Sequence, residues 1–295
     1  MKKLVPAAAV LAILAFLPPL SQAGLSARFS LGAGFVRSGD LAAGIRGYND
    51  FSLSLYGSDL KGRFSAPGLG FEPSAEIVFS PGPRWGIGLG FGYSFFSRSS
   101  EMSYAIADAT VAENLTAGVY AIPFELNLHF FFPLSERVTI DAWAGPGISL
   151  VRMKWDYRMT VGLEGQSGTD HFEFKAERPA FGGQAGIGIA FKLSEAFDLT
   201  AEIRGRLSAA AGFTGNWTET GSGDFWAIDD SGETKVWAFD LLYGGKTYRQ
   251  LSFQESKPAG ANINSAEEAK IGLSGVSVRI GFRVRLPSSR RDRRG

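Results

Sequence analysis

The chain has no cysteine. That excludes a disulfide framework, a thiolate metal centre and a cysteine-linked lipid anchor. Histidine is almost as scarce: only His129 and His171 occur. Two distant histidines without cysteine do not make a metal site, so no metal or other cofactor is expected. An excess of one charge is also missing, with 30 basic against 29 acidic residues. Nucleic-acid binding needs a basic footprint, and there is none. No stretch reaches the ~18 consecutive apolar residues of a membrane-spanning helix. The longest apolar run, Leu4 to Leu17, has about 14 residues, too few to cross ~30 Å of hydrocarbon.

That run has its own meaning. Lys2 and Lys3 precede it, Pro18-Pro19 breaks it, and Ser21-Gln22-Ala23 supplies small residues for cleavage. The arrangement predicts a secretory signal peptide over 1–23, cut before Gly24. Without Lys2 and Lys3, 28 basic residues face 29 acidic ones.

What the chain does have is glycine and alternation. Its 38 glycines are about 13%, against a usual ~7%. The sharpest segment is the last. Val276, Val278, Ile280, Phe282, Val284 and Leu286 alternate with Ser277, Arg279, Gly281, Arg283 and Arg285. Period two is the signature of a β-strand with two unlike faces. The same period runs over 25–35, 69–80, 85–95, 115–132, 138–150, 180–192 and 197–206. That predicts eight strands. Two near-copies, Phe-Pro-Leu-Ser-Glu-Arg-Val-Thr-Ile at 132–140 and Phe-Lys-Leu-Ser-Glu-Ala-Phe-Asp-Leu at 191–199, each join one strand to the next through a tight turn. Short connections alternate with long ones at about 38–67, 97–114, 156–179 and 213–270. Asp40 is a candidate N-cap for a short helix in the first. At Leu150-Val151 the apolar parity slips, as at a bulge or at the end of a membrane zone.

Alternation alone does not say which face is inside, since a lipocalin-like barrel in water has the same period. Three features favour apolar-out. Aromatics cluster at both ends of the apolar faces: Phe79, Trp85, Phe130, Phe191 and Phe197 at one, Tyr93, Phe95, Tyr120, Trp155, Phe181 and Phe213 at the other, as interfacial girdles do. Glycines lie on the polar face, where a crowded interior needs them. Charges on that face match in depth: Arg28, Glu76, Glu125, Asp141, Glu202, Arg204, Arg279 and Arg283 are predicted to form an ion-paired lumen, with Arg283 meeting Glu76 and Arg279 meeting Glu202.

This pattern, over 24–286, resembles the small eight-stranded OmpA/OmpX/OmpW-type barrels of Gram-negative bacteria. The resemblance implies an all-β, antiparallel, up-and-down transmembrane β-barrel in the bacterial outer membrane, with short periplasmic turns and long extracellular loops. It implies contact with outer-membrane lipid and lipopolysaccharide, and handling by the barrel-assembly machinery. It sets no oligomeric state. Arg279, Gly281, Val284 and Leu286 resemble the C-terminal assembly signal of such proteins. The chain departs from that signal by continuing through a basic tail, 287–295, expected in the periplasm.

Chemistry is sparse. Lipid-modifying barrels that resemble this fold use histidine with serine, but Phe130-Phe131-Phe132 follow His129. His129 reads as a hydrogen-bonded lumen residue, not a general base. Gly244-Gly-Lys-Thr247 resembles the end of a phosphate loop, yet Asp240 stands where the first glycine is required. The last long connection is expected to form a hairpin across Asp230-Ser231-Gly232, with Trp226, Trp237, Phe239 and Tyr243 available for contact. Two further spanning strands there, giving ten, are the alternative. The reading is a non-enzymatic barrel whose outer loops bind or shield. A porin-like channel for small solutes or apolar molecules is the alternative, and a lipid-modifying enzyme the second.

Overall fold

The computed structural model describes residues 24–286. The expected signal peptide, 1–23, and basic tail, 287–295, lie outside the described residues. The backbone is almost wholly antiparallel strand. β1 (Gly24–Arg37) leads into one helix, α1 (Asp40–Tyr56), then the short β2 (Lys61–Gly62). Next come β3 (Leu69–Ser80), β4 (Trp85–Gly92), β5 (Ser94–Ile106), β6 (Ala109–Pro133), β7 (Val138–Leu163), β8 (Gln166–Lys192) and β9 (Phe197–Ala211). β10 (Thr214–Gly223), β11 (Ile228–Tyr243), β12 (Lys246–Gln254), β13 (Ile263–Glu268), β14 (Lys270–Gly272) and β15 (Ser274–Leu286) complete the chain.

The pairings form a circuit. β1 pairs β3, β3 pairs β4, β4 pairs β6, and β6, β7, β8 and β9 follow in turn. β9 pairs β15, and β15 pairs β1 along its whole length, from Leu25↔Leu286 to Arg37↔Ser274. The path therefore returns to its start, so the strands of the circuit leave no open sheet edge where they pair around it. One end of the circuit carries both described termini and the short turns at 81–84, 134–137 and 193–196. The two near-copies make the same turn: the N–H groups of Leu134 and Ser135 donate to Val138 O, and those of Leu193 and Ser194 to Phe197 O.

Fifteen strands lie in one sheet, not eight, because three of the four expected loops are themselves strand. The stretch 97–114 is a hairpin in which β5 pairs β6 out to Ile106↔Ala109. The stretch 156–179 is strand apart from a two-residue turn at Glu164-Gly165, with β7 paired to β8 as far as Leu163↔Gln166. The stretch 213–270 forms β10 to β14, built on the extension of β8. Asp230-Ser231-Gly232 is not a turn but the middle of β11, with Gly232 opposite Trp217. Asp40 does not cap α1. Gly39 holds that position at φ 61, and the Asp40 carboxylate accepts from the Lys270 N–H at 2.8 Å and pairs with Arg249 at 3.2 Å. Gly244 and Gly245, both at positive φ, make the β11–β12 turn. Two successive residues of that kind define a tight type I′ hairpin, for which Gly-Gly suffices.

Leu150-Val151 contains no bulge. The β7 register is constant against both β6 and β8. Ile148 and Leu150 point outward, 40% and 41% exposed, while Ser149, Val151 and Met153 point inward. Side chains keep their sides, and chemistry changes places. Below this level the outer face is apolar and the inner face polar. Above it Arg152 is exposed outside, and Val151 and Met153 are fully buried inside. β6 inverts at the same height. Phe124, Leu126, Leu128 and Phe130 are exposed outside Asn127 and His129, whereas higher up Leu115, Ala117, Val119 and Ala121 are buried inside. Trp155 and Phe213, expected in an outer aromatic girdle, instead face inward above the inversion.

Below the inversion, exposed apolar side chains run right round the circuit, among them Phe29, Leu31, Ile77, Leu89, Phe124, Ile187, Ile203 and Ile280. From Ile122 to Phe132 the belt covers ten residue steps, about 26 Å high at ~3.4 Å per residue and ~40° tilt. Transmembrane barrels carry an apolar band ~25 Å tall. Exposed apolar area on this scale does not persist against water.

Gly281 sits where β15 closes on β1. A Cβ there would collide with Phe29 O and Ser30. Gly205, on the outer face of β9, has only Ala185 O at 3.9 Å from such a Cβ. Gly281→Val should lower the fraction of compact, heat-modifiable protein in detergent gels several-fold, and Gly205→Val should leave it unchanged. Equal mobility of the two variants would contradict the closure described.

Candidate functional site

Period two delivers charged side chains to the interior below the inversion, and the circuit brings them together. At the turn end, the Arg283 Nε donates to Asp198 at 2.7 Å and Arg285 pairs with the same carboxylate at 2.8 Å. Deeper, Arg28 lies among three carboxylates. It bonds Asp141 directly, Glu202 at 3.3 Å and Glu76 at 3.7 Å. His129, fully buried, spans two of them, with Nδ1 3.0 Å from Asp141 and Nε2 3.0 Å from Glu76. Above these, Arg279 pairs with Glu202 at 3.6 Å and Glu72 at 3.5 Å, Arg206 with Glu72 at 3.0 Å, and Arg204 with Glu125 at 2.8 Å.

All eight charged residues singled out in the sequence thus lie in this interior. The partner assigned to Arg283 is corrected: it meets Asp198, not Glu76, because Asp198 is its register partner on β9. Asp198, Glu72, Arg206 and His129 complete the set. Their signal was parity, since Glu72 shares a face with Glu76, and Arg206 with Arg204. Arg28, Arg204, Arg206, Arg279, Arg283 and Arg285 balance Glu72, Glu76, Glu125, Asp141, Asp198 and Glu202. Isolated charges are costly away from water, and each of these has an opposite charge within 4 Å. The voids among them hold only about 10 Å³ each, room for little more than one water.

Above the inversion the interior opens. A cavity of about 450 Å³ lies between the extended β7–β8 wall, β10, β12 and α1. Small-molecule sites fall in the ~300–1,000 Å³ range. Tyr48 and Ile45 of α1, Phe64, Trp155 and Tyr157 of β7, Asp170 and Phe172 of β8, Glu219 of β10, and Gln250 to Phe253 of β12 line it. Phe253 is wedged against Trp155 and Phe172, with ring centroids at 5.3 and 5.4 Å. Tyr48 stacks on Phe64 at 5.6 Å. α1 forms the roof. A Cβ at Gly47 would overlap Arg249 O, so this glycine lets the helix lie directly on β12. Arg249 ties the roof down through Asp40, Asp240 and Glu267 at 2.8–3.3 Å.

Beside the cavity, nine residues beyond Ile122 on β6, Glu113 is buried and makes no ion pair among the described residues. Tyr104 donates to it at 2.8 Å and Tyr48 at 3.0 Å. Burial holds this carboxyl above the usual carboxylate range, and the tyrosine hydroxyls only partly offset that. None of Trp226, Trp237, Phe239 and Tyr243, the expected contact residues, lines the cavity. Trp226 packs on Gly168 and Gly221, the Trp237 Nε1 donates to Gln254 O, and Tyr243 meets Phe51 edge-on. Apart from Trp155, which was placed in an outer girdle, the residues that do line it were hidden in stretches read as loops.

No family model and no curated protein matches the chain. Among solved structures it is similar to the outer membrane protein OprG from Pseudomonas aeruginosa, with 9% identity, 90% of this chain and 97% of that one covered, and a TM-score of 0.40. It is similar to the outer membrane protease OmpT from Escherichia coli at 9% identity, with 90% and 96% covered and a TM-score of 0.25. The Ralstonia pickettii toluene transporter TbuX is a third, at 11% identity, 90% of each chain covered and a TM-score of 0.16. The expectation of a non-enzymatic protein is corrected here: a protease stands among the similar structures, and that reading is withdrawn.

The Arg204–Glu125 pair is a test of the interior, with side chains only 1% and 8% exposed. Glu125→Ala should destabilise the protein by about 3–5 kcal/mol, the usual cost of stranding a buried charge. Glu125→Leu combined with Arg204→Met should cost less than Glu125→Ala alone. Denaturant titration in detergent measures both. Small, additive losses would mean that these charges are solvated.

Proposed function

We propose that this chain is an eight-stranded β-barrel of the bacterial outer membrane, and that it binds a small ligand in a cavity held above the membrane over a closed lumen. One observation carries the reading. The circuit of strands encloses an ion-paired, void-poor interior at belt level, and two of its strands, β7 and β8, continue beyond it to wall a 450 Å³ aromatic cavity with β10, β12 and α1. Ion pairs across the interior leave no continuous water path, so a solute entering from outside meets a floor. The exposed apolar belt is the surface for outer-membrane lipid. Arg152, exposed on the outer face just above it, is placed for the phosphates of lipopolysaccharide. Gly281, Val284 and Leu286 on the closing strand are the features offered to the assembly machinery. The short turns then face the periplasm, and α1 with β10 to β13 faces outward.

An apolar-molecule channel is the second reading, favoured by the aromatic lining of the cavity. Planar-bilayer recording separates the two for charged and polar solutes. The purified protein should give no unitary current steps above background across ±100 mV. Reproducible steps would show an open lumen and contradict the closed-floor reading.

A further inference from the structure

The cavity's lining has a charge that no other described residue neutralises. Asp170 and Glu219 both face it, and no lysine, arginine or histidine does. The basic residues nearest in sequence, Lys154, His171 and Lys175, lie on the outer faces of β7 and β8, where they pair with Asp156 and Glu173. Asp170 Oδ1 is buried and has no hydrogen-bond partner among the described residues. Glu219 stands one strand away, opposite Phe172 in register. Burial, and then the charges of Asp170 and Asp230, hold its carboxyl above the usual range. The interior below is different: there every carboxylate faces an arginine.

The remaining walls are π-faces. Trp155, Tyr157, Phe172 and Phe253 surround the space between the two carboxylates and α1. An aromatic wall beside carboxylates that face no cation is the environment that attracts an organic cation: the ring quadrupole and the carboxylate act in the same direction. A neutral apolar guest would displace water from both acids without replacing its hydrogen bonds, at a cost. An anion would be repelled. We propose that the cavity binds a small organic cation, an amine or quaternary ammonium on an apolar or aromatic body. The proposal rests on the reading of this cavity as a ligand site.

The test uses the full chain folded in detergent and three compounds of matched size: benzyltrimethylammonium, its neutral isostere neopentylbenzene, and benzenesulfonate. Isothermal titration reads affinity, and tryptophan fluorescence reports the Trp155 wall. Benzyltrimethylammonium should bind at least tenfold more tightly than either of the others and quench fluorescence. Asp170→Asn and Glu219→Gln, checked for heat-modifiable mobility, should each weaken the cation several-fold without weakening the neutral isostere. Equal or tighter binding of the isostere would overturn the cation inference and leave the ligand site standing. Binding of none of the three would overturn both. Should a variant fail to fold, the three-compound comparison on the unaltered chain still decides.

Discussion

A β-strand cannot change which of its residues face inward without breaking register, but the medium around it can change along its length. β6, β7 and β8 run 25 to 27 residues in constant register. They are longer than a membrane crossing of ~9–11 residues requires. Since the sides are fixed, the side-chain chemistry must invert where lipid gives way to water. In lipid the outside is apolar and the inside polar. In water the outside becomes Arg152, Lys154 and Asp156, and the inside Val151, Met153 and Trp155. The rest of the molecule follows from that inversion. Polar residues facing inward at belt level have to pair with one another. Apolar residues facing inward above it have to be roofed, which is the work of α1 and β12.

The two interiors obey different rules. At belt level arginines and carboxylates fill the space, and glycines at facing positions make room for them. A Cβ at Gly88 would strike Glu76 and His129, and one at Gly32 would strike Arg279. Beyond the belt, large apolar side chains such as Phe96, Leu115 and Phe174 are fully buried and form the only extended hydrophobic core among the described residues. The cavity lies where that core is incomplete. A deep polar plug and a shallow aromatic pocket are therefore consequences of one barrel emerging from one membrane, and the acids of the pocket are an addition that the architecture does not require.

Much of this was legible in the sequence. The strand faces, the short turns and the eight interior charges could be read from period two, and the near-copies at 132–140 and 191–199 do make the same turn. What was not legible was the continuation of strands beyond the belt. There the polar face turns outward, and a polar alternating stretch with scattered aromatics looks like a loop when it is judged by the sense that holds in lipid. The parity change at Leu150-Val151 was the available clue. Read as an inversion and not as an ending, it would have carried Tyr157, Asp170 and Phe172 into the interior. Pairing choices such as Arg283 with Asp198 depend on register across β9 and β15, which period alone does not set. The strand β10 and its Glu219 could not have been placed without knowing that β8 extends to receive it.

The natural absence of cysteine makes the inversion directly measurable. Single substitutions Leu126→Cys, Ile148→Cys, Arg152→Cys and Asp156→Cys can each carry a nitroxide label in lipid bilayers. Collision with oxygen reports lipid exposure, and collision with a water-soluble nickel chelate reports water. The labels at positions 126 and 148 should favour oxygen, and those at 152 and 156, four and eight residues beyond Ile148 on the same outer face, should favour the chelate. Oxygen-dominated collisions at all four positions, or chelate-dominated collisions at all four, would contradict a strand that crosses from lipid into water between Leu150 and Arg152.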